Sequence, residues 1–215
     1  GDRVLVEHPT YPNALEAVHA RGARCVPVPL DLESAGADAW DLELVTAAVR
    51  DAAPRLAYLI PDHQNPTGAL LDAAGRERLV ALARRTGTPL LIDETLAELT
   101  LGGPGEAPVA AHGAPDSALV ITVGSAAKVL WGGLRIGWIR TAAPTIRRLA
   151  ALRVATDLGG PVLEQLIATR LVDDLAPIVA ARCAELATAR DDLLRRLGVA
   201  FPGWRPSHPT GGLSL

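Results

Sequence analysis

The stretch LAYLIPDHQNPTG, residues 56–68, joins a short apolar run to a loop rich in polar residues, proline and glycine. The same order recurs where PLLI (89–92) precedes DETLAEL (93–99) and where LVITV (119–123) precedes GSAAK (124–128). Short runs rich in Leu, Ile and Val are typical of strands buried on both faces of a parallel sheet. Because the loops after such strands meet at one edge of the sheet, we expect the functional residues in these loops.

Strands and helices alternate on both sides of this stretch. The predicted strands are 3–7, 24–30, 56–60, 89–92, 119–123 and 134–139, and the predicted helices are 13–21, 42–52, 72–85, 144–157, 161–171 and 174–197. Such alternation predicts an α/β fold of three layers, αβα, in which helices cover both faces of a mainly parallel sheet.

The strand pattern ends at Ile139, and only helical patterns follow it. We therefore predict a large domain over residues 1–172, followed over residues 173–215 by an interdomain helix and the start of a smaller C-terminal α+β domain. The chain opens on Gly1 without any methionine and stops at Leu215 as a new apolar run begins. We expect a fragment that lacks both ends.

Composition restricts the classes of function. The 215 residues are 49% hydrophobic and 21% charged with a net charge of -3, which is typical of a soluble globular protein and lacks the basic excess of a DNA-binding surface. No apolar run is long enough to span a membrane and no signal peptide is apparent, so we expect a cytoplasmic protein. Two distant cysteines and scattered histidines predict neither a disulfide nor a metal site.

Only one of the 21 basic residues is a lysine, Lys128. Arginine can replace lysine wherever a positive charge is enough, but it cannot replace an amine that loses its proton and forms an imine with a carbonyl. Lys128 also lies in one of the loops that follow the predicted strands. It is therefore a candidate nucleophile, and the alternative is a leftover lysine on the surface.

The helix 72–85 carries four arginines and an apolar side that includes Leu79 and Leu82. This pattern predicts that the arginines, Arg76, Arg78, Arg84 and Arg85, form a solvated face.

The ordered set Asn65, Asp93, Ser125, Lys128 and Arg135 resembles the fold-type I pyridoxal phosphate enzymes, the aminotransferase class I/II superfamily. The motifs that carry the resemblance are an NPTG loop, a strand ending in Asp, a Ser-x-x-Lys and a following GLRIG. Each motif alone is a common structural feature, whereas their order along essentially the whole chain is specific. The resemblance implies the large-domain fold of these transferases and pyridoxal 5′-phosphate as the cofactor.

The resemblance also implies a role for each residue. Lys128 forms the internal aldimine with the cofactor aldehyde and moves the proton at the substrate Cα, and Asp93 pairs with the protonated pyridine nitrogen. Asn65 donates to the phenolic oxygen of the cofactor, while Ser125 and Arg135 bind its phosphate. Tyr11, after the first strand, stacks on the pyridine ring. For Asp93 and Tyr11 the alternatives are a helix cap and a packed turn.

The sequence departs from the family pattern at Leu96, where many of these aminotransferases have a tyrosine whose hydroxyl also contacts the phenolic oxygen. The cofactor oxygen then has one donor fewer, so we expect cofactor binding without efficient transamination. The glycine-rich phosphate loop is expected upstream of Gly1, and the arginine that binds the substrate carboxylate is expected in the small domain.

The segments DHQNPTG, DETLAEL and SAAKVLWGGLRIGWIR most resemble the aminotransferase-like domains of MocR-type regulators in the GntR family. This resemblance implies an effector-sensing domain that binds an amino acid or amino compound, with DNA bound by a winged helix-turn-helix module absent from this chain. The alternative is a stand-alone aminotransferase that acts on an α-amino acid and a 2-oxo acid. Both hypotheses imply a homodimer.

Overall fold

The computed structural model describes residues 1–34, 36–114 and 117–215, and within these ranges six strands form one sheet in the order β2-β1-β3-β4-β5-β6. The strands are β1 Arg3–His8, β2 Arg24–Pro29, β3 Leu56–Leu59, β4 Leu90–Asp93, β5 Val120–Ser125 and β6 Gly137–Arg140. The helices are α1 Pro12–Ala20, α2 Leu42–Ala52, α3 Ala73–Thr86, α4 Ala126–Val129, α5 Ala143–Asp157, α6 Val162–Val172 and α7 Leu175–Ala200.

The first five strands pair in parallel, and β6 pairs with β5 in the antiparallel direction. Side chains alternate between the two faces of the sheet, as the pleat requires. Leu5, Leu59 and Ile92 belong to the core that α2 and α3 cover, whereas Val6 and Tyr58 belong to a second core against α1. The predicted three-layer α/β fold is thus confirmed.

The start of α3 shows how local sequence fixes a helix boundary. The Asp72 carboxylate accepts the N–H of Gly75 at 2.8 Å, which satisfies one of the free donors of the first turn. At the other end Gly87 adopts a left-handed conformation with φ of 70°. These two residues confirm the predicted position of this helix to within about one residue.

The last strand begins three residues later than predicted. Residues Gly132–Leu134 form a 3-10 turn, Arg135 has a positive φ of 52°, and β6 starts only at Gly137. The apolar pattern of 134–139 does not reveal that the chain must reverse direction here to pair with β5. In the register, Trp138 lies opposite Gly124, and its indole occupies the space that a Cβ at Gly124 would need.

The predicted solvated face of α3 is wrong for Arg76, which is fully buried. Its Nη2 contacts Oδ1 of Asp62 at 2.7 Å, and its Nε donates to the carbonyl oxygen of Leu71 at 2.9 Å. Nη1 adds a contact to the carbonyl oxygen of Ala107 at 3.3 Å. Helical periodicity could not predict this burial, because the segments that cover Arg76 come from loops outside the helix.

Residues 1–172 and 173–215 meet between two helices, since α6 ends at Val172 and α7 begins at Leu175. The division into two domains at this point stays a prediction. No helix in the described ranges is both long enough and apolar enough to cross a membrane.

Replacing Arg76 by methionine should lower the free energy of unfolding by about 3–5 kcal/mol, because the buried Asp62 carboxylate loses its charge partner. Chemical denaturation of the variant at neutral pH measures this loss. Arg84→Met is the matched control, since Arg84 is exposed on the same helix and its replacement should cost less than about 0.5 kcal/mol. Equal stability of the two variants would contradict a structural role for the Asp62–Arg76 pair.

Candidate functional site

The order of the strands reverses at β1, because β2 lies on one side of β1 and β3 on the other. The helices that follow β1 and β3 consequently lie on opposite faces of the sheet, and a crevice opens between the two strand ends. Ligands of open α/β sheets bind at such a switch point. The loops after β1, β3, β4 and β5 all reach this edge.

A cavity of about 370 Å³ occupies this position. All six residues predicted from the sequence line it, namely Tyr11, Asn65, Asp93, Ser125, Lys128 and Arg135. The remaining lining residues are Ile60, Thr95, Leu96, Ala127, Leu213 and Ser214. The structure therefore brings together residues that are up to 124 positions apart in the sequence, counting from Tyr11 to Arg135.

Asp93 is the acidic group of the cavity, and both of its oxygens are held. The hydroxyl of Tyr58 donates to Oδ2 at 2.8 Å, and the backbone N–H of Thr95 donates to Oδ1 at 3.0 Å. A carboxylate oxygen has two lone pairs, so each oxygen can accept one further donor from the cavity. This arrangement suits a cationic N–H group of a ligand.

The lining of the cavity also contains basic residues. Ser125 ends β5 and begins α4, where its Oγ accepts the N–H of Ala127 at 3.1 Å and its own hydroxyl proton remains a donor. Lys128 follows within one turn and is exposed to the cavity. Arg135 is also exposed, and only its Nη1 contacts the backbone, at 3.4 Å from the carbonyl oxygen of Gly132 among the described residues. A hydroxyl, an amine and a guanidinium suit an anion with several oxygens, such as a phosphate.

Asn65 lies in a loop that Gln64, a fully buried side chain, fixes to the end of β1. Nε2 of Gln64 donates to Oε2 of Glu7 at 2.9 Å and to the carbonyl oxygen of Pro9 at 2.8 Å. Oε1 of Gln64 accepts both the N–H of Thr67 at 3.0 Å and its hydroxyl at 2.8 Å. Because all the hydrogen-bonding atoms of the Gln64 amide are used, the loop holds Asn65 at one place beside the cavity.

Glu7 is a second acid beneath the cavity, and it is buried. Burial raises the pKa of Glu7 to about 8, although N–H donors from Gln64 and Ile60 oppose the shift, and the charge of Asp93 adds to it. At neutral pH Glu7 is therefore mostly protonated.

Tyr11 and Leu96 stand on either side of the cavity in different environments. Tyr11 immediately precedes α1, and 39% of its surface is exposed, so its ring is available to a planar ligand. Leu96 is only 6% exposed and packs in a small core with Leu99, Val129 and residues of α7. Leu96 thus supplies no hydroxyl to the cavity.

The segment after α7 contributes Leu213 and Ser214 to the lining of the cavity. Thr100 forms a bridge with Gly211, Leu101 donates to the carbonyl oxygen of Thr210 at 2.7 Å, and Gly212 donates to that of Leu99 at 3.0 Å. Gly211 packs against the ring of His63 so closely that a Cβ would overlap it. In the neighbouring loop Gly68 has a φ of 73°, and a Cβ there would lie 2.8 Å from Cβ of Pro209.

His63 is buried, and its Nε2 lies 2.9 Å from Oγ1 of Thr100. Burial lowers the pKa of His63 to about 4, and the charge of Arg76 adds to this effect. His63 is therefore neutral at physiological pH. Within the part of the chain that the structure describes, no three acidic, histidine or cysteine side chains lie close enough to hold a metal ion.

A larger cavity of about 800 Å³ is lined by residues of β5, β6 and α6 and is mostly apolar. It shares Thr95 and Ser125 with the smaller cavity, and its polar lining includes Glu94 and Arg140. Size alone would favour it as the functional site. The smaller cavity is the better candidate, because the Lys128 amine, the Asp93 carboxylate and the Arg135 guanidinium converge only there among the described residues.

Sequence reasoning missed Tyr58, Glu7 and Gln64. Tyr58 interrupts the aliphatic run LAYLI, and a tyrosine buried in a strand needs a partner for its hydroxyl. Glu7 ends the apolar strand RVLVE, where a buried acid also requires donors. At both positions the sequence indicates a buried polar side chain that needs a hydrogen-bonding partner. It does not identify the residue that supplies that partner.

Known proteins that are similar to this chain include both aminotransferases and transcription regulators. The sequence profile of the family described as Aminotransferase class I and II matches residues 1–213. Aromatic-amino-acid aminotransferase 1 of Thermococcus litoralis is 30% identical over 216 residues, which cover 99% of this chain and 51% of that protein. The uncharacterized HTH-type transcriptional regulator YisV of Bacillus subtilis is 29% identical over 162 residues, 75% of this chain and 32% of that protein.

Among solved structures, the α-aminoadipate aminotransferase LysN of Thermus thermophilus, complexed with N-(5'-phosphopyridoxyl)-L-leucine, superposes with a TM-score of 0.90. The two sequences are 28% identical, and the superposition covers 99% of this chain and 54% of the LysN chain. The kynurenine aminotransferase of Pyrococcus horikoshii gives a TM-score of 0.87 at 28% identity, over 99% of this chain and 53% of that one. The chain thus spans about half the length of the aminotransferases that it matches.

The raised pKa of Glu7 predicts a specific pH dependence of stability. Between pH about 5 and 8 the folded protein keeps the Glu7 proton that the unfolded chain loses, so the free energy of unfolding should fall as the pH rises through this window. In Glu7→Gln this fall should be smaller than in the parent protein by a few kcal/mol. Urea denaturation at a series of pH values measures the difference.

Glu16→Gln is the matched control, because Glu16 is exposed on α1. The free energy of unfolding of Glu16→Gln should change with pH as that of the parent protein does. If Glu7→Gln also follows the parent protein, then Glu7 does not titrate in this window and the prediction is wrong.

Proposed function

Because the chain belongs to the aminotransferase class I and II family, we propose that its cavity binds pyridoxal 5′-phosphate (PLP) through Lys128 and that the domain senses an effector in a MocR-type transcription regulator. PLP is the cofactor of this family and fold. The observation that carries the assignment of the site is the convergence of six side chains of the right chemistry on one cavity.

The residues that line the cavity fit PLP group by group. Lys128 supplies the amine for the aldehyde, Asp93 accepts the pyridine N–H, and Asn65 donates to the phenolic oxygen. Ser125 and Arg135 supply hydroxyl and guanidinium donors for the phosphate. These residues hold the cofactor in place, and the exposed ring of Tyr11 is available to stack on it.

When bound, PLP supplies an aldehyde and an electron-withdrawing ring. Side chains of the protein provide the base and the partner of the pyridine nitrogen. The Lys128 amine would bind the cofactor aldehyde and would serve as the base for the proton of the substrate Cα. Asp93, held by Tyr58 and Thr95, keeps a proton on the pyridine nitrogen.

Leu96 is the observation that favours a sensor over an efficient enzyme. Its buried side chain gives the cofactor no second hydroxyl donor, so Asn65 makes this contact alone. A domain of this kind binds PLP and an amino compound but transfers the amino group slowly. The relative YisV is named as an HTH-type regulator, which supports this hypothesis.

In this proposal the effector is an amino acid or another amino compound, and DNA binds to a module outside this chain. The domain acts in the cytoplasm as a homodimer. Exposed apolar side chains on α5 and α6 support a subunit contact there, namely Leu152, Val154, Val162, Leu163 and Leu166.

The second candidate function is a stand-alone aminotransferase. It is favoured by the presence of the amine, the pyridine partner and the phosphate ligands in one cavity, and by aminotransferases that match 99% of the chain. The coding sequence upstream of Gly1 separates the two functions. A basic winged helix-turn-helix module there supports the regulator, whereas a phosphate loop without such a module supports the enzyme.

Incubation with PLP followed by borohydride reduction should attach a pyridoxyl group to Lys128. Peptide mass spectrometry locates the modified residue, and the assignment is simple because residues 1–215 contain a single lysine. Lys128→Arg is the control, since it keeps the positive charge but removes the amine. Modification elsewhere in the parent protein with none at Lys128 would contradict the proposed site.

Replacing Leu96 by tyrosine should accelerate amino-group transfer from an accepted amino acid by about tenfold, the effect of one added hydrogen bond to the cofactor oxygen. Stopped-flow absorbance of the half-reaction measures the rate. Leu96→Phe is the matched control, because it adds the same ring without the hydroxyl. Equal rates for the two variants would show that Leu96 does not limit the reaction.

A further inference from the structure

We propose that Tyr58 is a positioning residue, which holds Asp93 so that its carboxylate accepts the pyridine N–H of PLP. This inference rests on the proposed cofactor site and assigns a role to a residue that does not line the cavity. Its basis is the hydrogen bond from the Tyr58 hydroxyl to Oδ2 of Asp93, which joins β3 to β4 and ends on a residue that lines the cavity.

The sheet fixes the position of this hydroxyl. Tyr58 is opposite Leu91 in the register of β3 and β4, and Asp93 follows two residues later on the same face of β4. The Tyr58 ring is buried in the core against α1, together with Val6 and Ile60. Because packing holds the ring on every side, the hydroxyl cannot swing away from Asp93.

The Asp93 carboxylate is then fixed at two points. Tyr58 holds Oδ2, and the backbone N–H of Thr95 holds Oδ1 at 3.0 Å. Two donors on different oxygens define the plane of the carboxylate. The remaining lone pairs point to positions where a third donor can bind, and Asp93 lines the cavity.

The direction of the hydrogen bond is also defined. Burial and the neighbouring charge of Asp93 raise the pKa of Tyr58 above its ordinary value, so Tyr58 keeps its proton and donates it. The other acid at this edge, Glu7, is engaged by donors from Ile60 and Gln64 and does not compete for the Tyr58 proton.

A positioning role differs from a general structural role in what it affects. If Tyr58 acts through Asp93, its hydroxyl matters only for a ligand that carries an N–H for Asp93 to accept. If the hydroxyl only supports the fold of the cavity, every ligand of the cavity loses affinity together. A cofactor analogue in which C–H replaces the pyridine nitrogen distinguishes the two cases.

The test compares the dissociation constants of PLP and of this carbon analogue for the parent protein and for Tyr58→Phe, which keeps the ring and removes the hydroxyl. Absorbance titration with each compound measures the constants without any turnover. We expect Tyr58→Phe to bind PLP about tenfold more weakly, as expected for the loss of one charge-assisted hydrogen bond, and to bind the carbon analogue as the parent protein does.

Equal weakening for both compounds would overturn the proposal, as would unchanged binding of PLP. The double variant Tyr58→Phe, Asp93→Asn gives a second measurement, because in the Asp93→Asn background the loss of the hydroxyl should change PLP affinity by less than about twofold. A further loss in that background would also overturn the proposal. Failure of the parent protein to bind PLP, or to be modified at Lys128, would instead reject the proposed function on which the inference rests.

Discussion

The burial of charged and amide groups at the carboxyl edge of a parallel sheet is the constraint on which this structure depends. The strand order reverses at β1, and the resulting crevice places polar side chains where water is largely excluded. Each such group needs a partner within the protein. The partners of Glu7, Asp62 and Asp93 come from other strands, loops or, for Asp62, from helix α3, so the same contacts that satisfy these groups also fix the loops that carry them.

The two buried networks have different consequences. The Asp62–Arg76 pair ties the start of α3 to the loop after β3, and neither residue lines the cavity. The network of Glu7 and Gln64 instead holds the loop that carries Asn65, a residue exposed to the cavity. The first network therefore contributes mainly to stability, and the second also contributes to the geometry of the site.

The sequence predicted the layers of the fold and the six lining residues because both depend on local patterns and on their order. Apolar runs define strands, and parallel strands bring the residues after them to one edge. Arg76 was assigned to a solvated face because periodicity describes only the helix and not the loop that covers it. Tyr58 was missed because its partner lies 35 residues away, and no local pattern encodes that contact.

The close contacts between the loop after β3 and the segment after α7 link distant parts of the chain. Gly211 fits against His63, and Gly68 fits against Pro209, without room for a single methyl group at either point. Backbone hydrogen bonds of Leu101 to Thr210 and of Gly212 to Leu99 join a third segment, which follows β4, to the same residues after α7. Because the segment after α7 packs against both loops, we expect it to separate from them in one step during local unfolding, so that the amide hydrogens of Leu101 and Gly212 exchange with solvent together.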